Sequence, residues 1–490
     1  MPFLKSKIEN THKVNRRYLI IAVASFAVIA FHAGNRSLWL DDLLTILFVE
    51  RNAGISENLR RILSDAHSNP PGFYAIAYLW LRIAPYGTFW LKLPSIVFTS
   101  IGIYMCGKVA EKIKGERAGV FASLLAGTSL FLITEAANGF RSYGLLFLLS
   151  ALLVWFYLKR MDRAKAEGLS DIIRYGLTMA ALIYTHYFGC IVVLGFAIGD
   201  ALLLLKRKIS WKILISYAMA GLLFLPFLLY ALPRVMNGLG SSDVPVPTVQ
   251  TLESLILGIF SGHELLLACF LFAAVAFIAR KTFPAATEDA GSGGRYFCLL
   301  LTGVCVFAIS LAYIYCRYVG LDGKYMWTRY FISILPMALA VSAIGIDMVL
   351  ASLNKTSFRA VFALLALLLG VRAIFSINAW SHQQPVPWEQ AIDWIYEQHE
   401  AHEPGSYIMG HSEIMPYYLT HGGQRAALNV IDEWHFFNTG MEEAPWFRLY
   451  CFNSSEGAIQ SLAEGYDLVD EKGEYKVLVY QRKAKEPQEQ

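Results

Sequence analysis

Long apolar runs, interrupted at intervals by short polar stretches, dominate the pattern of this 490-residue chain. A helix that crosses a bilayer needs about 20 mainly apolar residues. Such runs lie near 18–34, 91–107, 117–134, 141–158, 172–187, 188–205, 213–232, 263–279, 296–316, 330–350 and 359–377, which predicts about eleven spans or more. The stretch 72–84 is too short to cross. It is rich in Tyr and Trp, whose rings favour the headgroup level, so it reads as an interfacial segment, with an amphipathic stretch around 56–65 before it. After 380 the pattern changes: Pro385-Val386-Pro387 opens a polar tail, 388–400 has helical spacing, and strand-like runs follow at 406–410 and 476–480. The expected architecture is a polytopic α-helical membrane domain over 1–379, with a first outer segment at 35–90. A small α/β domain over 380–490 completes it.

Charge gives the orientation. With the N-terminus inside, the clusters Lys5/Lys7/Lys13/Arg16/Arg17, Lys108/Lys112/Lys114/Arg117, Lys159/Arg160/Arg163/Lys165, Lys206/Arg207/Lys208 and Arg280/Lys281 all fall in the cytoplasm. The other loops carry fewer and more isolated cations, as the positive-inside rule requires. Counting 72–84 as a span would invert everything after it. The Gly/Ser/Ala-rich stretch 284–294 reads as a cytoplasmic loop, and the tail falls outside the cytoplasm. A multi-pass protein of a plasma membrane, most naturally a bacterial inner membrane, is the expected location.

Composition narrows the class. Hydrophobic residues make up 56% of the chain and charged ones 16%, against about 25% charged in a soluble protein. The formal charge of +4 is spread among loops and gives no footprint for nucleic acid. The seven cysteines are scattered and fall mostly in apolar segments, where Cys is a small buried hydrophobe. No metal-ligand spacing links His411, His421 and His435 in the tail.

The polar residues within this topology converge on one face. Asp41 and Asp42 follow the first span on the outer side. Asn69-Pro70-Pro71, Arg141-Ser142-Tyr143, the His186-Tyr187 turn, and Lys324 with Arg329-Tyr330 all fall at the same outer interface. Arg, Tyr and Trp are ordinary interfacial anchors, and two acids after a span also suit an exposed first helical turn. A carboxylate at a lipid surface can instead act as a general base toward a hydroxyl. Arginines beside it can hold a phosphate by charge-assisted, often bidentate, hydrogen bonds. A base plus a phosphate clamp fits sugar transfer from a lipid phosphate.

In order along the chain stand Trp39-Leu40-Asp41-Asp42, Asn69-Pro70-Pro71-Gly72-Phe73-Tyr74, Leu93-Pro94-Ser95, Arg141-Ser142-Tyr143-Gly144-Leu145, Tyr184-Thr185-His186-Tyr187-Phe188, and Arg329-Tyr330 followed by Pro336. Over roughly 18–340 this ordered set resembles the large membrane glycosyltransferases of the GT-C fold, in particular the dolichyl-phosphate-mannose-protein mannosyltransferase-like group. The family reads an Asp-Glu-type pair, His-Pro-Pro-Leu-Tyr-Tyr, Arg-Leu-Pro-Ser and Arg-x-Tyr-x-Leu at the matching places. The resemblance implies an inverting transferase with a polyprenyl-phosphate sugar donor and a glycan, lipid or protein acceptor. Asp41 becomes the base, and Asp42 orients the acceptor, the loop or a cation. Arg141 and Arg329, with Lys324 and His186, hold the phosphate, and Tyr143 and Tyr330 shape the groove. Asp42 is one methylene shorter than the family's Glu, and Asn69 replaces a frequent His, so no imidazole role carries over there. No cofactor is expected, although two adjacent acids are compatible with a divalent cation.

The competing reading is a transporter or flippase of lipid-linked sugars. Transporters keep ionisable groups near the bilayer midplane. Here Asp200 and Asp347 lie toward the cytoplasmic ends of their runs, which favours an interfacial enzyme.

Overall fold

The computed structural model describes residues 15–33, 38, 40–49, 54–64, 70–85, 87–137, 139–162, 168–237, 247–260, 264–278, 291–319, 327–351 and 355–382, and in the tail 394–395, 397, 407–409, 429–431, 448–452, 466–472 and 477–482. The chain divides into two units: Met1–Ala33 with Phe48–Ala379, and Gly34–Leu47 with Trp380–Gln490.

Every apolar run falls on helix. In chain order the helices are α1 (Arg16–Ala33), α2 (Leu40–Phe48), α3 (Ile55–Ser64), α4 (Gly72–Ile83), α5 (Thr88–Lys114), α6 (Glu116–Gly127), α7 (Tyr143–Asp162), α8 (Leu169–Thr185), α9 (Phe188–Leu205), α10 (Ile213–Asn237), α11 (Val249–Ile259), α12 (Glu264–Ile278), α13 (Gly291–Ile314), α14 (Leu335–Leu350) and α15 (Lys355–His382). Among the described residues, six helical stretches are long and apolar enough to cross a bilayer: α1, α5, α9, Tyr143–Met161 of α7, Ile213–Ala231 of α10, and Gly294–Tyr318 around α13. The protein is therefore an integral membrane protein. The segment read as interfacial is the 12-residue helix α4, and the amphipathic stretch before it is α3.

Two runs read as single spans are broken. In the run 117–134, α6 stops at Gly127. Thr128 turns its hydroxyl back to the Leu124 carbonyl at 2.7 Å, Ser129 Oγ accepts the Leu132 N–H at 3.3 Å, and the chain resumes as a π-helix, Leu132–Ala137. Such hydroxyls offer the backbone an alternative to the helical ladder. In the run 330–350, Pro336 can sit only in a first helical turn. The chain accordingly forms a 3-10 helix over Thr328–Ser333 and restarts as α14. The stretch 284–294 overlaps helix as well, since α13 begins at Gly291.

α14 is the centre of the membrane unit. Nearly all its residues from Leu335 to Met348 are buried, as expected of a helix that is apolar all round. It packs on α5, α6, α12 and α13, and Gly345 lets it meet the Cys269 backbone of α12 directly. α5 and α6 meet through Gly107 and Gly119, where a Cβ on Gly119 would stand 2.7 Å from the Gly107 carbonyl. Small residues at such crossings replace the hydrophobic drive that lipid abolishes.

Charges within this unit are paired where the bundle buries them. Arg160, at the last turn of α7, donates to Asp200 on α9 at 2.7 Å, and both are almost fully buried. Tyr217 donates to the other Asp200 oxygen at 2.8 Å, while the guanidinium lies over the Tyr157 and Tyr175 rings at 4.9 and 5.1 Å. Asp347 on α14 meets Arg117 at 3.0 Å and Lys114 at 3.9 Å.

In the tail, five strands form one sheet in the order β2-β1-β3-β5-β4: β1 (Tyr407–Met409), β2 (Asn429–Ile431), β3 (Arg448–Phe452), β4 (Tyr466–Lys472) and β5 (Val477–Arg482). β1 runs parallel to β2 and β3, and β5 antiparallel to β3 and β4. The strand-like runs at 406–410 and 476–480 are β1 and β5.

Removing one member of a buried ion pair leaves an uncompensated charge, at a cost of about 3–5 kcal/mol. Asp200→Ala should therefore lower the melting temperature of the detergent-solubilised protein sharply. The double change Arg160→Met with Asp200→Leu should restore most of the loss. A double variant no more stable than the single one would show that the pair is not an isolated unit.

Candidate functional site

The motifs scattered along the membrane unit meet at one end of α7. Ser95, at the outer part of α5, donates its hydroxyl to the Arg141 carbonyl at 3.2 Å. Gly144 allows the start of α7 to close on α5 and on the π-helix: a Cβ there would lie 2.6 Å from the Ser95 carbonyl and 3.1 Å from that of Ala136. Gly72, first in α4, is held as tightly, since a Cβ would lie 2.6 Å from the Tyr184 carbonyl. Phe73 stacks edge-on against Phe140 at 5.7 Å. Four of the ordered motifs thus touch through backbone-close contacts that only small residues permit.

The side chains at this end form a ring cluster with cations beside it. His186 lies 5.7 Å from the Tyr143 ring and 5.3 Å from Tyr330, and Phe188 lies 5.2 Å from Tyr330. Arg329, on the 3-10 helix, places its guanidinium 5.9 Å from the Tyr143 ring centre and 5.1 Å from that of Trp327. Such cation–ring contacts are worth roughly 0.5–2 kcal/mol each and fix the direction of the guanidinium. Tyr143 is buried, while Arg141, Arg329 and Tyr330 are half-buried.

His186 caps the end of α8 and sits in the turn to α9. Burial pushes its pKa down to about 3, and the positive charges of Arg141 and Arg329 push the same way. The imidazole is therefore neutral at ordinary pH. Its Nδ1 accepts the Phe188 N–H at 3.2 Å, so the hydrogen-bond pattern assigns the ring proton to Nε2. His186 here is a fixed hydrogen-bond donor and not a third cation.

Of the residues singled out from sequence, Arg141, Tyr143, His186, Arg329 and Tyr330 are brought together. Lys324, Trp39 and Asn69 lie outside the described residues, as do His411, His421, His435 and Asn453. Asp41 and Asp42 belong to the other unit, where they stand on the first turn of α2 and not in a loop. Asp42 is 4% exposed, which sets aside a reading of both acids as surface groups of a first turn. Among the described residues no three His, Cys, Asp or Glu side chains gather as a metal site.

Lys92 was not singled out. It is fully buried one turn before Ser95 and donates Nζ–H to the Ala33 carbonyl at the end of α1, at 3.1 Å. A lysine inside an apolar run was the available signal, because such a charge is retained only where something answers it. A cation on the last carbonyls of a helix also suits the negative end of its dipole.

No family model matches the sequence, and no curated protein matches it either. The fold, however, has clear counterparts, and it defines the class: the chain has the GT-C fold of membrane glycosyltransferases. It is similar over 96% of its length, and 99% of the other chain's, to ArnT from Cupriavidus metallidurans bound to undecaprenyl phosphate, with a TM-score of 0.54 at 13% identity. ArnT in the apo state gives a TM-score of 0.56 over 94% and 97% of the two chains. It is likewise similar to the archaeal oligosaccharyltransferase AglB from Archaeoglobus fulgidus in complex with an inhibitory peptide and a dolichol-phosphate, at a TM-score of 0.52 and 12% identity, over 96% of this chain and 75% of that one.

A neutral, buried His binds fewer protons than its unfolded counterpart. The unfolded state gains protons as pH falls below 6.5, so the stability tied to His186 is complete above that value and declines as pH drops toward 3. Between pH 7 and pH 5 the protein should lose about 1–2 kcal/mol more than His186→Gln does. Parallel melting curves of the two proteins across that range would show that His186 carries a proton in the folded state.

Proposed function

We propose that this protein is a membrane glycosyltransferase. It moves a sugar from a polyprenyl-phosphate donor to an acceptor hydroxyl at the extracytoplasmic face, with inversion. The observation that carries this reading is the cluster of Arg141, Arg329 and neutral His186 around Tyr143 and Tyr330, at one end of a GT-C bundle. Two guanidiniums and an Nε2–H donor make a set of positive and dipolar donors suited to a phosphate monoester. The aromatic faces beside them suit the apolar start of a prenyl chain or the flat face of a sugar. Similarity to the two transferases with bound undecaprenyl phosphate and dolichol-phosphate supports the same ligand class here.

The chemistry follows from the roles. Asp41, assigned on the ordered motif set, takes the proton of the acceptor hydroxyl as its oxygen attacks the anomeric carbon. The bond between that carbon and the phosphate oxygen breaks, and the lipid phosphate departs with the negative charge. Arg141 and Arg329 stabilise that charge as it grows, with Lys324 as a further cation from the same outer segment. His186 donates Nε2–H to a phosphate oxygen without adding charge, so it orients the phosphate and the arginines neutralise it. Asp42, buried in the first turn of α2, serves the placement of its neighbour. Sugar and acceptor are selected by the first outer segment and the tail. In this reading the tail domain, 380–490, lies with the active site outside the cytoplasm.

A flippase or transporter finds less support. The acids within the runs, Asp200 and Asp347, are engaged by Arg160, Arg117 and Lys114 toward the ends of their helices, which uses them in packing.

The test is label transfer from radiolabelled polyprenyl-phosphate sugars in membranes holding equal amounts of protein. Asp41→Asn should cut transfer about 10²–10⁴-fold with donor binding retained, as expected for loss of a general base. Arg329→Ala should weaken donor binding itself, while Arg329→Lys should recover part of it. Carrier or solute flux without transfer from any donor would overturn the proposal.

A further inference from the structure

Away from the candidate site, α1 and α5 leave an open apolar groove of about 440 Å³ between them. Leu19, Val23 and Phe26 line it from α1, and Val97, Ile101 and Tyr104 from α5. Ser100, also in the lining, turns its hydroxyl back to the Ile96 carbonyl at 2.8 Å. Leu19, Val23 and Ile101 are 44%, 57% and 46% exposed, as befits a face toward hydrocarbon. The volume lies within the range of about 300–1,000 Å³ typical of ligand clefts. The groove lies beside two helices that are both long and apolar enough to span, so its occupant comes from the bilayer.

One end of the groove is charged. On α1, Arg16 stands a turn before Leu19 on the same side, at i, i+3, and is exposed. On α5 the face of Ile101 and Tyr104 continues to Lys108 and Lys112. The two acids at this end are answered: Lys108 holds Glu111 at 2.5 Å and Arg17 holds Glu116 at 3.3 Å. Arg16 and Lys112 are the positive charge beyond those two pairs. An apolar slot that ends in surplus cations is complementary to a lipid with a negative headgroup.

The slot belongs to the surface opposite the candidate site. Ser95 binds the Arg141 carbonyl near one end of α5, and Lys112 is about 25 Å further along the same helix at 1.5 Å per residue. A headgroup beside Arg16 and Lys112 cannot be the phosphate handled at the Arg141 cluster.

From these observations we propose that the α1–α5 groove is a binding site for one anionic glycerophospholipid, with an acyl chain along Leu19, Val23, Ile101 and Tyr104. Its phosphate lies against Arg16 and Lys112. The lipid fills the seam between α1 and the helix that carries Lys92 and Ser95, and so stabilises the bundle from the side away from the chemistry.

The full-length protein, purified in neutral detergent, should be titrated with phosphatidylglycerol, phosphatidylcholine of the same chains, and undecaprenyl phosphate. Bound lipid is read by native mass spectrometry and stability by thermal melting. Phosphatidylglycerol should bind one to one and raise the melting temperature saturably, with phosphatidylcholine at least about tenfold weaker. Arg16→Gln with Lys112→Gln should erase that preference. Val23→Trp, which fills an exposed part of the groove, should remove the bound lipid while the lipid-free melting temperature holds. Equal stabilisation by phosphatidylcholine, a preference that survives both variants, or displacement of phosphatidylglycerol by undecaprenyl phosphate at matched concentration would overturn the assignment.

Discussion

A charge surrounded by hydrocarbon must be answered by another group or carried to a surface, and the membrane unit is organised by that requirement. At the far end of α7 it is met internally: Arg160 and Asp200 answer each other, Tyr217 takes the second carboxylate oxygen, and two further tyrosine rings lie against the guanidinium. With its donors and acceptors matched in this way, such a network acts as a joint between helices. At the near end the groups are of a different kind. Two guanidiniums and a neutral imidazole stand among tyrosine rings, so the local charge is positive and the local surface is aromatic. One end of the same 20-residue helix closes on itself, and the other is suited to an anion from outside.

The near end depends on how closely the backbones approach. Gly72 against Tyr184 and Gly144 against Ser95 and Ala136 draw together segments far apart in sequence, and Ser95 fixes the carbonyl of Arg141. A larger residue at either glycine would part the helices by a side-chain width and separate the arginines from the rings. The cluster is therefore set by packing, with the charged groups placed on a frame that apolar contacts hold rigid.

Much of this frame was legible in the sequence, because the apolar runs report directly which segments a bilayer can hold. The convergence of Arg141, Tyr143, His186, Arg329 and Tyr330 was legible as well, because topology sends alternate loops to one face. The breaks were harder to see. Hydropathy averages over a window and passes across Thr128-Ser129, where two hydroxyls compete with the helical ladder, and across Pro336, where one missing N–H restarts a helix. Lys92 was hidden for the same reason, since one charge among apolar neighbours barely changes a mean. The burial of Asp42 could not be read at all, since it depends on what packs over a short helix and not on the helix itself. The tail was read only at β1 and β5. β4 carries Asp467, Asp470 and Glu471, and its side chains at 467, 468 and 470 are exposed, so its pattern is that of a polar segment.

The same physics explains how a fold is shared at 12–13% identity with no family model matching. Lipid-facing positions need only be apolar, and α14 is buried by residues that many aliphatic combinations could replace. What cannot vary freely is sparse: a small residue where backbones touch, a cation where a phosphate must be held, a partner for each buried charge. Those positions fall in short motifs at the ends of helices, and the connecting spans can drift without moving them. His186 shows how fine that requirement is. A neutral donor beside two arginines orients a phosphate without tightening the grip on it, and a protonated imidazole would hold the departing lipid phosphate more firmly. By keeping the ring buried and its Nδ1 tied to Phe188, the fold limits the positive charge at the site to what a leaving group needs.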